Sequence, residues 1–376
     1  MGPLKNVKII ELAGIGPAPF CGMMLSDMGA DVIRIDREGV DPPLGRNGAL
    51  SRGRRSIIVD LKNSAGIELV LKLVEKSDAL IEGYRPGVME RLGLGPDDCL
   101  GRNPRLVYGR MTGWGQDGPL AELSGHDINY IALSGALHTI GTGKDGPVPP
   151  LNLVGDFGGG GMYLAFGLVC ALLEARNSGQ GQVVDAAMID GASSLMAMIY
   201  GMKAENKWQD SRQSNILDGA AHYYRCYECS DNKWIAIGAL EDQFYSLLLD
   251  KLGIQLTSLT ERHDSANWQP LHEQLQAIFL TKSRDEWQDL LDGTDACFAP
   301  VLNLEEAPLH PHNASRNTFV SIDGQWQPAP APRFSRSVPE ANFTAAINGA
   351  HSSEILSDSG YSETEIMKLR GTGIIN

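Results

Sequence analysis

Residues 7–36 read VKIIELAGIGPAPFCGMMLSDMGADVIRID. The apolar run Val7–Leu12 predicts a strand, Ala13–Pro17 a turn, and the stretch from about Ala18 to Met28 a helix. Asp31–Asp36 then predicts a second strand, so the segment is one βαβ unit. The alternation continues outward. Ser56–Leu61 is a strand candidate, and Ile67, Val70, Leu71 and Val74 recur at helical spacing. Ala79–Ile81 and Leu106–Tyr108 are further short strands. Strands alternating with helices imply a mostly parallel sheet in an α/β fold.

Farther along, residues 126–137 predict a helix, and 158–176 a long, very apolar one. We divide the chain into a large Rossmann-like domain over 1–200 and a polar linker over 201–222. A smaller α/β domain over 223–312, a return linker over 313–340 and a C-terminal segment over 341–376 follow. Pro328-Ala-Pro-Ala-Pro332 marks the return linker, and Ser362-Glu-Thr-Glu365 is a capping-box start for a last helix.

The chain has 376 residues, 43% hydrophobic and 21% charged, with a net charge of −14. That charge argues against nucleic-acid binding. It is unevenly spread. The first 110 residues carry 16 Lys/Arg against 14 Asp/Glu, and the remaining 266 carry 16 against 32. A local anion site on an acidic protein fits this asymmetry, and Arg37, Arg46, Arg52, Arg54, Arg55, Lys62, Arg85 and Arg91 are its candidates. No apolar run approaches the roughly 18 residues of a bilayer span, so no membrane partner is expected. The opening MGPLKNVKII has no signal-peptide h-region, and a cytoplasmic protein is the expectation. The six cysteines lack framework spacing; Cys226-Tyr-Glu-Cys229 has no second pair, so no metal site is expected.

The first βαβ unit invites a dinucleotide reading, with Asp36 ending the second strand. The turn refuses it: Gly14-Ile-Gly16-Pro-Ala-Pro19 lacks the third glycine, and its prolines remove N–H donors. Among acid–base candidates, His126 stands at a helix start, where the partial positive charge favours a proton-accepting imidazole. Asp156 precedes Gly158–Gly161 and the apolar helix. A plain N-cap is the ordinary reading there, but four consecutive glycines permit a ligand to approach backbone N–H groups. Glu241 follows a strand end, where a loop residue can face a cleft.

Glu11-Leu-Ala-Gly-Ile-Gly-Pro17, Gly29-Ala-Asp-Val-Ile-Arg-Ile-Asp36, Gly83-Tyr-Arg-Pro-Gly87 and Thr112-Gly-Trp-Gly-Gln-Asp-Gly-Pro119 resemble the family III CoA-transferases. Gly125-His-Asp-Ile-Asn-Tyr-Ile-Ala-Leu-Ser-Gly135 and Gly238-Ala-Leu-Glu241 narrow the resemblance to the α-methylacyl-CoA racemase branch. Residues 330–335 and Gly360–Ile366 match the family's C-terminal part, so it spans nearly the whole chain. The resemblance implies a Rossmann-like large domain, a small α/β domain and two chains interlocked as a homodimer, with each active site between subunits. It implies interconversion of (R)- and (S)-2-methylacyl-CoA thioesters in lipid metabolism, with no cofactor beyond the CoA of the substrate. His126 and Asp156 fall on the acid/base positions, and Glu241 on the carboxylate that orients the histidine. Arg37, Lys62, Gly83, Tyr84, Arg85 and Arg91 fall around CoA, and Gly125, Tyr130 and Asn152 at the acyl end.

This chemistry suits the residue types. Removing a proton beside a thioester needs a placed base, and inverting the centre needs a protonated acid on the opposite face. Backbone N–H groups at the start of the 158–176 helix are candidates to hold the developing oxyanion. The alternative within the family is CoA transfer with Asp156 as nucleophile, which has no use for His126 or Glu241. A silent CoA-binding protein would lack one of the three acid–base residues. Met188, Met196 and Met198 are pocket candidates, though at their helical spacing simple core is the ordinary reading.

Overall fold

The computed structural model describes residues 2–39, 48–254, 260–339 and 342–376; Arg46 lies outside them. The first βαβ unit forms as read. β1 (Lys8–Leu12) leads through α1 (Pro17–Asp27) to β2 (Asp31–Asp36), which pairs parallel to β1. Pro17 sits in the first turn of α1, where its missing N–H costs nothing. β3 (Arg54–Ile58), α2 (Ser64–Val74), β4 (Ala79–Glu82) and β5 (Val107–Thr112) follow. β6 (Val183–Ala187) completes a parallel sheet of order β3-β2-β1-β4-β5-β6. The order reverses between β1 and β4, and open α/β sheets bind ligands outside the carboxyl ends of the strands at that point.

Contacts divide the chain into two compact units: 1–135 with 150–196 and 320–376, and 136–149 with 197–319. In the first, alternate sheet residues feed two cores. Ile10, Leu12, Ile33, Ile35 and Ile57 pack with α2 and with Ile355, Leu356 and Ile366 of the C-terminal helices. Ile9, Val32, Ile81 and Val107 pack on the other face with Ala18, Cys21 and Leu25. The C-terminal residues return to the sheet: Asp60 N–H donates to the Ile374 carbonyl (2.9 Å), and Val59 bridges Ile375. Ser362 caps the last helix with Glu365, as the sequence predicts.

The predicted helix over 126–137 is broken at Gly135 (φ 85°), giving α3 (Asp127–Leu133) and a short turn at Ala136–Thr139. The apolar helix is longer than expected. A π-helical stretch, Leu153–Gly161, runs directly into α4 (Met162–Ser178). Together these 26 residues are long and apolar enough, by length and composition, to cross a bilayer, which corrects the expectation from uninterrupted apolar runs. Leu164, Leu168, Leu172 and Ala175 nevertheless pack into the core with the sheet, as in a core helix.

The second unit has an antiparallel sheet of β7 (Tyr224–Glu228), β8 (Trp234–Gly238) and β9 (Phe298–Pro300). Tyr227, Ile235, Ile237, Leu248, Phe279 and Trp287 form its core. Cys226 and Cys229 both lie on or just after β7 as free thiols, the first exposed and the second buried.

Candidate active site

A cleft of about 720 Å³ opens at the carboxyl ends of β1 to β4. The turn Ala13–Gly16 after β1, Arg37 after β2, Val59–Lys62 after β3, and Gly83 and Tyr84 after β4 line it, with the returning Gly373–Asn376. Arg37, Lys62, Gly83 and Tyr84 are therefore gathered at one place, as expected. The Tyr84 hydroxyl donates to the Ala13 carbonyl (3.3 Å), and its N–H donates to Glu82 Oε2 (2.7 Å). Burial pushes the Tyr84 phenol up, while the nearby Arg37 charge opposes this. Arg85 and Arg91 are exposed and stand outside the lining of this cleft.

Four other basic residues are already committed, which corrects the reading of a broad anion site. Arg52 pairs with Asp27 (2.5 Å), Arg54 with Glu11 (2.9 Å), Arg55 with Asp31 (2.6 Å), and Arg34 with Asp36 (2.9 Å).

His126 is the exposed N-cap of α3. Its N–H donates to Asn129 Oδ1 (3.0 Å), and the Asn129 N–H donates back to the His126 carbonyl (2.8 Å). Asp156 is half-buried inside the π-helical stretch, so it is no N-cap. Burial pushes its carboxyl up; Asn152 Nδ2 donates to it (3.2 Å) and opposes the shift, as does the His126 charge, while Asp127 adds to it. His126, Asn152 and Asp156 thus share one electrostatic neighbourhood. Tyr130 belongs to it as well: burial and then Asp156 push its phenol up to about 12, against the opposing charge of Arg85. Tyr130 stacks edge-on to Trp114 (4.7 Å), and a Cβ on Gly125 would stand 2.7 Å from its ring.

Asp127 is a residue whose role the sequence reading missed. Its Oδ2 accepts from the Asp156 N–H (2.7 Å), while buried Oδ1 has no partner among the described residues. The only sequence signal was its place next to His126. The glycine row also serves otherwise than expected. A Cβ on Gly159 would stand 2.6 Å from the Ala192 nitrogen, and one on Gly191 would stand 1.8 Å from the Gly159 carbonyl oxygen. Gly160 and Gly161 are likewise buried, the first against Met188 and Pro17 and the second against Pro17 and Phe20. Gly16, at φ 70°, connects the cleft to the acid: its Cβ position lies 3.3 Å from Asp156 Oδ2.

Glu241 belongs to the second unit, where it is the exposed N-cap of the helix Asp242–Lys251. Met188 is a buried core residue, and Met198 is 58% exposed. Among the described residues, no three His, Cys, Asp or Glu side chains cluster as metal ligands.

The family model for CoA-transferase family III matches residues 4–350. The α-methylacyl-CoA racemase of Mus musculus is 43% identical over 99% of this chain and 97% of its own length. The human α-methylacyl-CoA racemase is 40% identical over the same shares. A crystal structure of a CAIB/BAIF family protein from Brucella suis superposes with a TM-score of 0.80 at 25% identity, covering 95% of this chain and 99% of that one.

Proposed function

The chain belongs to CoA-transferase family III, and from that premise we propose that it is an α-methylacyl-CoA racemase. The observation that supports this reading is that Asp156, which the His126 charge reaches, lies against Gly16 of a cleft that suits CoA. Arg37 and Lys62 supply charge for phosphates, and Tyr84 a flat face and a hydroxyl for the nucleotide. Arg85 and Arg91, exposed and outside that lining, are assigned to CoA on the family resemblance alone. The acyl chain lies toward Gly125, Tyr130 and Asn152.

One of the His126–Asp156 pair removes the α-proton and electrons flow into the thioester carbonyl as an enolate. The other returns a proton to the opposite face. Burial favours the protonated carboxyl of Asp156, which suits it as the donor in one direction. In reverse the roles exchange. The balance closes without an oxidant or a metal, and CoA enters only as part of the substrate. Glu241 is assigned the carboxylate role that the family resemblance gives it.

The test is incubation with one enantiomer of a 2-methylacyl-CoA in deuterated water, without an acceptor acid. Deuterium is expected at the α-carbon together with loss of optical purity. An enzyme that exchanges nothing, but moves CoA once a free carboxylate is added, is a transferase with Asp156 as nucleophile.

We also propose an interlocked homodimer with each active site between subunits. Met162, Phe166, Val169 and Leu173 form an exposed apolar stripe on α4, opposite its core-facing side. A second copy is the occupant we assign to it. Sedimentation should report a dimer that Phe166→Asp weakens; a wild-type monomer at micromolar concentration would refute the assignment.

A further inference from the structure

Glu241 is held from beneath. Arg262, in the same unit, is only 2% exposed. Its Nη1 donates to the Ala239 carbonyl (3.0 Å), and its Nη2 donates to the Leu240 carbonyl (2.6 Å) and pairs with Asp242 Oδ1 (2.6 Å). The guanidinium lies over two rings, 4.8 Å from the centre of Tyr223 and 5.0 Å from that of Tyr245. Tyr245 closes the circle, its N–H donating to the Glu241 carbonyl (3.0 Å). The Arg262 backbone is itself fixed, because Trp268 Nε1 donates to its carbonyl (2.7 Å).

The same guanidinium therefore grips residues 239, 240 and 242 and leaves the side chain between them free to project. Stability alone does not call for this. A buried charge costs desolvation, and an apolar side chain of similar volume commonly serves a core as well or better. What an apolar residue cannot do is read two successive carbonyls and a carboxylate with a planar fork. We propose that Arg262 is a positioning residue that fixes the direction of the Glu241 carboxylate for the reaction. This rests on the reading of Glu241 as a carboxylate of the reaction.

The test is a double-mutant cycle on the full-length enzyme, measuring kcat and KM for Arg262→Lys, Glu241→Gln and the pair. Lysine keeps the charge but loses the fork. Arg262→Lys is expected to lower kcat about tenfold and to shift KM less than twofold or so, because the CoA cleft is untouched. In the Glu241→Gln background the same change is expected to cost less than about twofold, since the group it aims is gone. A merely structural arginine would cost the same factor in both backgrounds, and that outcome overturns the proposal while leaving the role of Glu241 intact. Wild-type kcat in Glu241→Gln would overturn the role of Glu241 and the proposal with it. Should Arg262→Lys fail to fold, Asp242→Asn removes one arm of the grip from an exposed position and is run through the same cycle. It is expected to lower kcat about threefold in the wild type and to have no effect beside Glu241→Gln.

Discussion

Asp156→Asn is expected to bind acyl-CoA and yet to lose racemisation and α-proton exchange together, with kcat falling at least about a thousandfold. Asparagine keeps the shape and the contact to Asn152 but has no proton to give at neutral pH and no lone pair basic enough to take one. The cleft is built from other residues, so KM for the thioester should hold. The same substitution should stabilise the fold. Burial raises the Asp156 carboxyl in the folded protein above its value in the unfolded chain. A carboxyl raised in this way favours the fold fully only below the unfolded value, and that contribution is lost as pH rises through the folded one. Above that folded value the ionised carboxylate, desolvated and close to the buried Asp127, is a cost that asparagine removes. Denaturant midpoints at pH 7 should be higher for Asp156→Asn than for the wild type, with the gap closing toward pH 4. A variant that is less stable at pH 7, or that still exchanges the α-proton, would sink the assignment of Asp156 as a desolvated acid. This is the pattern of a site kept strained for activity.

How much of this was legible depended on the range of the forces involved. β1, β2, α2 and the last helix rest on local pattern, through short β-branched runs, helical spacing and a capping box, and they fall where the sequence places them. β6 was not foreseen. Val183–Ala187 has too little alternation to announce itself, and it becomes a strand by pairing with β5 some 75 residues earlier (Tyr108 with Val183). The π-helical turn around Asp156 was equally hidden. Its glycines suggested an open ligand loop, whereas they allow backbone-to-backbone packing on the helix Met188–Leu195. Lone-residue candidates fared by environment. His126 and Asp156 stood out by chemistry, but Asp127 looks like any helix-start acid until its contact with the Asp156 N–H is seen. Arginines were the least legible. Arg52, Arg54 and Arg55 read as candidates for an anion site because nothing local reveals that Asp27, Glu11 and Asp31 are their partners.

Glu11→Ala should therefore be among the most destabilising single changes in the chain. Glu11 is 0% exposed and Arg54 is 2% exposed, with Nε donating to Oε2 at 2.9 Å. Arg54 also donates to the carbonyls of Arg52 and Pro19, so it ties β3 and the start of α1 together under β1. α1 comes close enough for this because a Cβ on Gly22 would meet Glu11 Oε2. Removing the carboxylate leaves a buried guanidinium near Cys21 without its counter-charge, and a broken buried pair of this kind costs about 3–5 kcal/mol. Urea unfolding of Glu11→Ala should show that loss, and a loss below about 1 kcal/mol would mean the pair is not the lock it looks. Replacing both partners by Met should recover much of the loss, because no charge is then left unpaired. Stability and function are expected to part in that double variant. The Gly14–Pro19 segment that Arg54 grips through the Pro19 carbonyl lines the cleft and faces Asp156. The double Met variant is accordingly expected to fold but to bind acyl-CoA with a KM raised several-fold, since its turn is packed and no longer held.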